Sequence, residues 1–453
     1  MITSIIIIHK ITLGIIKMKN IKLSLALVSI LTISSSAFGN DTADIAELKQ
    51  QVKELQEMTQ VLTDETSDLQ TGFNYTTVDS EKSYSGLGPA ASKVYYSKSP
   101  LSIGGYGEMY YANTKGGDSE TQVKRFITYF GYKFSDNIIL NTEIEYEGGG
   151  VTASGSGDEV IIEFMYLDFL QNKNFNARVG NFLMPVGLIN EQHEPTLFTT
   201  VQRPKTSYYL IPSTWHESGV MAYGNIVDGL EYKAAVTSAL QTKADSSPKG
   251  SSLDKPKWIR SGRGGSFEVK NPTAAFTGRV DYTGLNGLMV GASIYYAPSS
   301  KIEDLTADVF MYDVHVDYKI NGFRVYGLYT ETSRNNATNI ANISTNTTNS
   351  AVEKAKGGYL NASFDVLSLT SSQFKLPIFI QYESVNARAE VVNTSANTNY
   401  DAYDAVNTTT VGMNFFPHEQ VVLKLDYAMA DNSYLTNNGQ TEDTASVSIG
   451  FIF

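Results

Sequence analysis

From Leu101 to Phe453 the chain alternates apolar and polar residues with a period of two. In "FMYDVHVDYK" (310–319), Phe310, Tyr312, Val314, Val316 and Tyr318 share one face and Asp313, His315, Asp317 and Lys319 the other. "VVLKLDYA" sets Val421, Leu423, Leu425 and Tyr427 against Lys424 and Asp426, and "AFTGRVDYTG" sets Phe276, Val280 and Tyr282 against Arg279 and Asp281. In "LEYKAAV", Leu230, Tyr232 and Val236 oppose Glu231 and Lys233. Successive side chains of a strand point to opposite faces, so each stretch predicts a strand with one apolar and one charged face. Sixteen strands are expected, starting near 101, 123, 138, 159, 177, 217, 230, 274, 288, 310, 323, 355, 376, 410, 421 and 442.

The connections separate the possible architectures. Those after even-numbered strands are mostly tight turns, such as "SDN", "DG", "ING" and "PHEQ". Those after odd-numbered strands are mostly long and polar: 147–158, 186–216, 241–273, 298–309, 332–354, 385–409 and 431–441. Short turns on one side and long loops on the other predict an outer-membrane barrel, apolar outside and charged inside, whereas a soluble sandwich has no reason to alternate this way. The last strand, "ASVSIGFIF", alternates likewise and ends on Phe453, like the insertion signal read by the barrel-assembly machinery. The expected fold is all-β: an antiparallel transmembrane β-barrel of ~16 strands over 101–453, with a short N-terminal periplasmic helix or coiled coil.

Ahead of the barrel the period changes. In 41–70, Ile45, Leu48, Val52, Leu55, Leu62 and Leu69 follow a heptad spacing, interrupted by Thr59 and Thr66. That narrow stripe predicts a coiled-coil stalk over 40–70, a homotrimerisation element by this reading, with a helix lying on its own barrel as the alternative. Residues 71–100 read as a Ser/Gly/Pro-rich linker. Earlier still, "MKNIKLSLALVSILTISSSAFG" from Met18 carries Lys19 and Lys22, an apolar run and small residues at 37–39, which predicts a signal peptide over 1–39 with Met18 as the alternative start.

Composition sharpens the class. Of the 453 residues, 28 are Tyr, 21 Phe and 36 Gly, which favours β structure. The absence of cysteine excludes disulfides, thiolate metal sites and thiol catalysis. A net charge of -12 argues against a nucleic-acid partner. Outer-membrane lipid, lipopolysaccharide and small hydrophilic solutes are the partners expected at a Gram-negative outer membrane, and no cofactor is expected.

The densest candidate chemistry is "NEQHEPTLFTTVQRPKTSYYLIPSTWHESG" (190–219), within the third long loop. "HEPTL" lacks the second histidine of a helical zinc-hydrolase motif, having Leu197 there. His193, Glu194, His216 and Glu217 could converge on a metal, but hydrogen-bonding anchors are the expected role, with no metal. The segment "RVGNFLMPVGLINEQHEPTLFTTVQRP" followed by "IPSTWHESGV" resembles the constriction region of the phosphate-selective porin O and P family. The resemblance implies that 186–216 folds inward and narrows the pore. On that reading Glu191, His193, Glu194, Arg203, Lys205, Tyr208, Tyr209, Trp215, His216 and Glu217 form the constriction. Lys233, Arg279, Asp281, Asp313, His315, Asp317, Lys319, Lys424 and Asp426 line the lumen. Inward-facing acids outnumber bases, so the family's preference for phosphate does not follow from the strands alone. The expected function is passive diffusion of small hydrophilic solutes, with a plugged structural or adhesin barrel, or a barrel enzyme using His315 and a serine from a neighbouring strand, as alternatives. No catalytic residue is expected.

Overall fold

In a computed structural model of the chain, sixteen antiparallel strands close into one barrel, each paired with its sequence neighbours and the last with the first. The structure describes residues 50–61, 78–149, 160–241, 257–269, 272–302, 305–339, 350–393, 405–431 and 443–453. The strands are β1 (Leu101–Thr114), β2 (Ser119–Ser135), β3 (Ile138–Glu147), β4 (Val160–Leu170), β5 (Asn176–Leu183), β6 (His216–Val227), β7 (Leu230–Ser238) and β8 (Ala274–Tyr282). They continue as β9 (Leu288–Ile302), β10 (Leu305–Ile320), β11 (Phe323–Arg334), β12 (Ser350–Asp365), β13 (Pro377–Asn393), β14 (Val406–His418), β15 (Val421–Ala430) and β16 (Thr444–Ile452).

The predicted faces hold. Phe310, Val314, Leu423, Leu425, Phe276 and Val280 point outward and are exposed, while Asp313, Asp317, Lys424, Asp426, Arg279 and Asp281 are buried inside. Apolar residues on the outer face and hydrogen bonds between neighbouring strands are the arrangement that a barrel spanning lipid requires. Among the described residues no helix is long and apolar enough to cross a membrane. Phe453 helps close the barrel: it exchanges backbone hydrogen bonds with Gly105 at 2.9 Å, and its ring stacks on Phe126 at 6.0 Å. Tight turns carry left-handed residues as expected, with Asn321 at φ 47° and Gly322 at φ 83° in "ING".

Several connections are shorter than expected: only 394–405 of the expected loop 385–409 separates β13 from β14, and only 335–349 of 332–354 separates β11 from β12. The segment expected as a loop over 298–309 is mostly strand, because β9 and β10 keep pairing as far as Leu305 with Ile302. Only residues 115–118 separate β1 from β2, whose start is Ser119 rather than 123. Polar residues there mark hairpin ends that leave the apolar band, and a strand outside lipid needs no apolar face.

Residues 1–75 form a separate unit of the chain. Its described part, 50–61, is helical, with Leu55, Met58 and Val61 exposed and Lys53 4.0 Å from Glu57. The signal peptide and the remainder of the coiled-coil range lie outside the described residues. The second half of the stretch expected as a linker is folded into the barrel. A helix over Pro89–Tyr96 buries Pro89, Ala90, Ala91 and Val94, and Pro at its first position suits a helix start. Gly131 of β2 makes room for it, since a Cβ there would lie 2.5 Å from a Val94 methyl.

Candidate functional site

The third loop, between β5 and β6, runs across the lumen and is tied to most of the wall. The Glu383 carboxylate on β13 accepts from the Lys205 and Thr206 N–H groups at 3.0 and 2.7 Å and from the Thr206 hydroxyl at 2.8 Å. Asp426 on β15 accepts from the Val201 N–H, and Lys424 donates to the Phe198 and Thr200 carbonyls at 2.8 and 3.0 Å. Arg324 on β11 donates to the Leu197 carbonyl at 2.7 Å, and Asp313 on β10 accepts from the Gly187 N–H at 3.0 Å. Backbone groups of the loop that are pressed against the wall are shielded from water, and wall charges take its place.

Most of the expected lumen-lining residues are therefore buried under the loop or in one another. Lys233 meets Glu191 at 2.6 Å, and Arg279 lies 3.6 Å from the same carboxylate and 2.6 Å from Asp281. His315 is held by Asp313 at 2.6 Å and Asp281 at 2.8 Å. Ser293 does approach from the neighbouring strand β9, but it donates to Asp313 rather than to His315, whose two nitrogens are both engaged. That arrangement cannot deprotonate a serine. Asp317 pairs with Arg324 at 2.9 Å, and Lys319 at the short-turn end remains more than half exposed.

An apolar core accompanies these ties. Met184, Val186, Leu188, Leu210, Ile211 and Trp215 of the loop pack with Trp258 and Ile259 against Tyr295, Met311, Leu328 and Val385 of β9–β13. Trp215 is fully buried, 5.0 Å from the Tyr295 ring, and donates to Glu217 at 3.1 Å. Trp215, Glu217 and Glu191 thus anchor the loop and do not face open space.

The open space lies on the other side. A cavity of about 530 Å³ at the long-loop end is bounded by the third loop, the fourth loop between β7 and β8, and the inner faces of β1–β4. Arg203, Lys205, Lys257, Arg260 and Arg263 enter it from the two loops, with Tyr208, Tyr209 and His216. Glu108, Glu145, Glu147 and Glu163 face them from the wall, beside Lys124 and Arg125. Charge is thus segregated across the cavity, positive on the loops and mainly negative on the strands. The fourth loop is held in place by the Trp258 indole N–H on the Ala387 carbonyl at 3.1 Å and by Arg260 over the Tyr208 ring at 4.3 Å. Burial, and then the neighbouring Arg260, pulls Arg263 down to about 10.

Two expected constriction residues sit at the bottom of this space. His193 places Nδ1 2.9 Å from the Asn190 carbonyl and Nε2 3.2 Å from Glu143. Burial, reinforced by Arg203, holds its imidazole far below the ordinary value, at about 3. Glu194 accepts from the Ala90 and Ala91 N–H groups at 3.0 and 3.1 Å, capping the Pro89–Tyr96 helix, and burial raises it to about 7 despite those bonds. Below, Tyr95 hydrogen-bonds Asp168 at 2.5 Å, and Asp168 holds Arg178 through two bonds of 2.8 and 2.9 Å. A second cavity of about 440 Å³ opens at the short-turn end, lined by Tyr84, Asn172, Tyr223 and Glu231 among others.

Of the expected constriction residues, Arg203, Lys205, Tyr208, Tyr209 and His216 border the cavity, and Glu108, Arg125 and Glu163 join them there without having been expected as site residues. For Glu108 the signal was present, since it shares one face of its strand with Tyr106 and Tyr110 at a spacing of two.

No family model matches the chain. An uncharacterised protein of Aquifex aeolicus is 33% identical over 359 residues, covering 77% of this chain and 80% of that protein. The chain belongs to the family of that protein. Its barrel is similar to Salmonella typhi OmpF in complex with daunomycin, with a TM-score of 0.52 and 14% identity over 78% of this chain and 97% of that one. The outer membrane channel DcaP of Acinetobacter baumannii gives 0.52 at 11% identity over 78% and 97%. The anion-selective porin of Comamonas acidovorans gives 0.50 at 12% over 78% and 99%. These likenesses show the fold, a sixteen-stranded barrel of the porin type, and the third loop's inward course suits that fold.

Proposed function

We propose that this barrel is a narrow diffusion channel of the Gram-negative outer membrane for small hydrophilic solutes, with a preference for anions such as phosphate or small carboxylates. The charge-segregated cavity carries this reading. Five cationic side chains from the two loops face a wall whose Arg125 already engages Glu108 and Glu145 at 3.7 and 3.8 Å. Low-dielectric walls focus that field, so an anion entering from the long-loop side meets a net attraction despite the acidic chain. The resemblance of the third loop to phosphate-selective porins favours the same solutes. The N-terminal unit would lie in the periplasm, where the exposed apolar residues of its helix would assemble a trimer, and Phe453 would address the chain to the assembly machinery. Lipopolysaccharide would surround the long-loop end. The channel performs no chemistry on its solutes.

The test is the reversal potential of the purified protein in a planar bilayer under a tenfold KCl gradient. Chloride preference supports the proposal, and cation preference removes its anion selectivity. A specific observation favours a second reading, a closed barrel: the Pro89–Tyr96 helix lies inside the wall, capped by the third loop. That reading requires no conductance at all.

A further inference from the structure

At the floor of the long-loop cavity, where the third loop meets β3 and β4, three buried side chains converge without the partners their chemistry requires. Glu143, Glu163 and His193 are at most 2% exposed, and each offers a ligand atom within 4.8 Å of the others. The Oε2 atoms of Glu143 and Glu163 are buried and accept no hydrogen bond. Neither carboxylate has an ion pair with Lys or Arg among the described residues. A buried carboxylate oxygen left bare costs several kcal/mol, on the order of the penalty for burying any unpaired charge.

The histidine narrows the choice of partner. Its Nδ1 faces the Asn190 carbonyl, which only accepts, so Nδ1 carries the proton and the neutral ring leaves Nε2 as a lone pair. That lone pair faces the Glu143 carboxyl group, 3.2 Å away, so a proton or a metal cation has to lie between the two. A metal-bound histidine has this arrangement, with its other ring nitrogen fixed by a backbone carbonyl. Arg203 directs a guanidinium nitrogen to the His193 carbonyl at 2.9 Å, which leaves the ring's ligand face free.

We infer that Glu143, Glu163 and His193 bind one divalent transition-metal ion, zinc or manganese, which joins the third loop to the barrel wall. One imidazole and two carboxylates suit these ions, and the imidazole selects against calcium and magnesium. Bonds of about 2.0–2.2 Å place ligand atoms roughly 3–4 Å apart, which the cluster meets with small side-chain adjustment. Glu163 borders the cavity, which gives the ion an entry path. Because His193 belongs to the loop and both carboxylates belong to strands, the ion crosslinks the constriction to its frame.

The full-length protein, stripped with a chelator and passed through a desalting column after exposure to Zn²⁺, is assayed for metal by mass spectrometry. The wild type is expected to retain one Zn²⁺ per chain, and Glu143→Gln, Glu163→Gln and His193→Gln are each expected to weaken binding by more than about tenfold. His418→Gln, at an exposed turn, reports adventitious binding and should bind as the wild type does. X-ray absorption of the zinc-loaded wild type should show a single imidazole in a nitrogen and oxygen shell, a signature that survives even if a variant fails to fold. Failure of the wild type to retain zinc, equal retention by the three variants, or a shell without imidazole would overturn the assignment. None of these readouts depends on conductance, so the channel reading can fail separately.

Discussion

Two segments enter this barrel, and they are held differently. The third loop is covalently fixed at both ends and strapped by buried wall charges on β10, β11, β13 and β15. The Pro89–Tyr96 segment continues into β1 at one end only. It is held mainly by apolar packing of Leu87, Ala90 and Ala91 against Tyr106, Ile127 and Phe164, by the Glu194 cap and by Tyr95 on Asp168. Charged straps fix a loop in one register because each lost strap leaves a buried orphan, whereas apolar contacts are less directional and tolerate sliding. The loop is therefore the element fixed in one register, and the helix is the element more easily displaced.

The comparison breaks first at Glu383. Replacing it with Ala orphans three donors of the loop, and we expect a loss of about 3–5 kcal/mol, read from urea unfolding by tryptophan fluorescence. An unchanged midpoint would mean that the straps do not hold the loop. Removing residues 78–98 should leave the barrel folded, as judged by its heat-shifted mobility on gels, and raise single-channel conductance severalfold. Equal conductance would show that the helix obstructs nothing. Exchanging Arg260 and Arg263 for Ala should shift the KCl reversal potential towards cations while leaving conductance of the same order. If selectivity does not move, the loop cations do not govern permeation. The smallest effect belongs to Lys319→Ala: with the ammonium more than half exposed and 3.9 Å from Asp317, stability should change by less than about 0.5 kcal/mol in the same urea assay.

The barrel was legible because lipid imposes a strict rule on every strand. Phe310, Val314 and Tyr318 could face only outward, and Asp313, His315 and Asp317 only inward, whatever lay inside. The inward course of the third loop was also legible, through its Pro-rich polar composition and its family resemblance. What the inward charges touch was not. Lys424 and Asp426 read as water-facing lumen residues, yet they bind the backbone of Phe198, Thr200 and Val201, more than 220 residues earlier in the chain. A period of two reports a face, and it carries no information about the partner on that face. The same limit hid the folded part of 71–100, where a short helix with small residues resembles a linker until Gly131 and Glu194 supply its neighbours.

Position 450 shows the division in one residue. Sequence alternation placed Gly450 on the inner face of the last strand, but only the fold explains why a side chain is absent: a Cβ would come 2.7 Å from Pro195 of the third loop. The sequence alone determined the strands, their order, the two faces and the side carrying long loops, because these follow from local periodicity and from lipid as solvent. Tertiary structure alone decided that wall charges hold the third loop, that a charge-segregated cavity opens at the long-loop end, and that Glu143, Glu163 and His193 meet. Those outcomes depend on contacts between segments far apart in the chain, whose geometry is set only once the barrel closes.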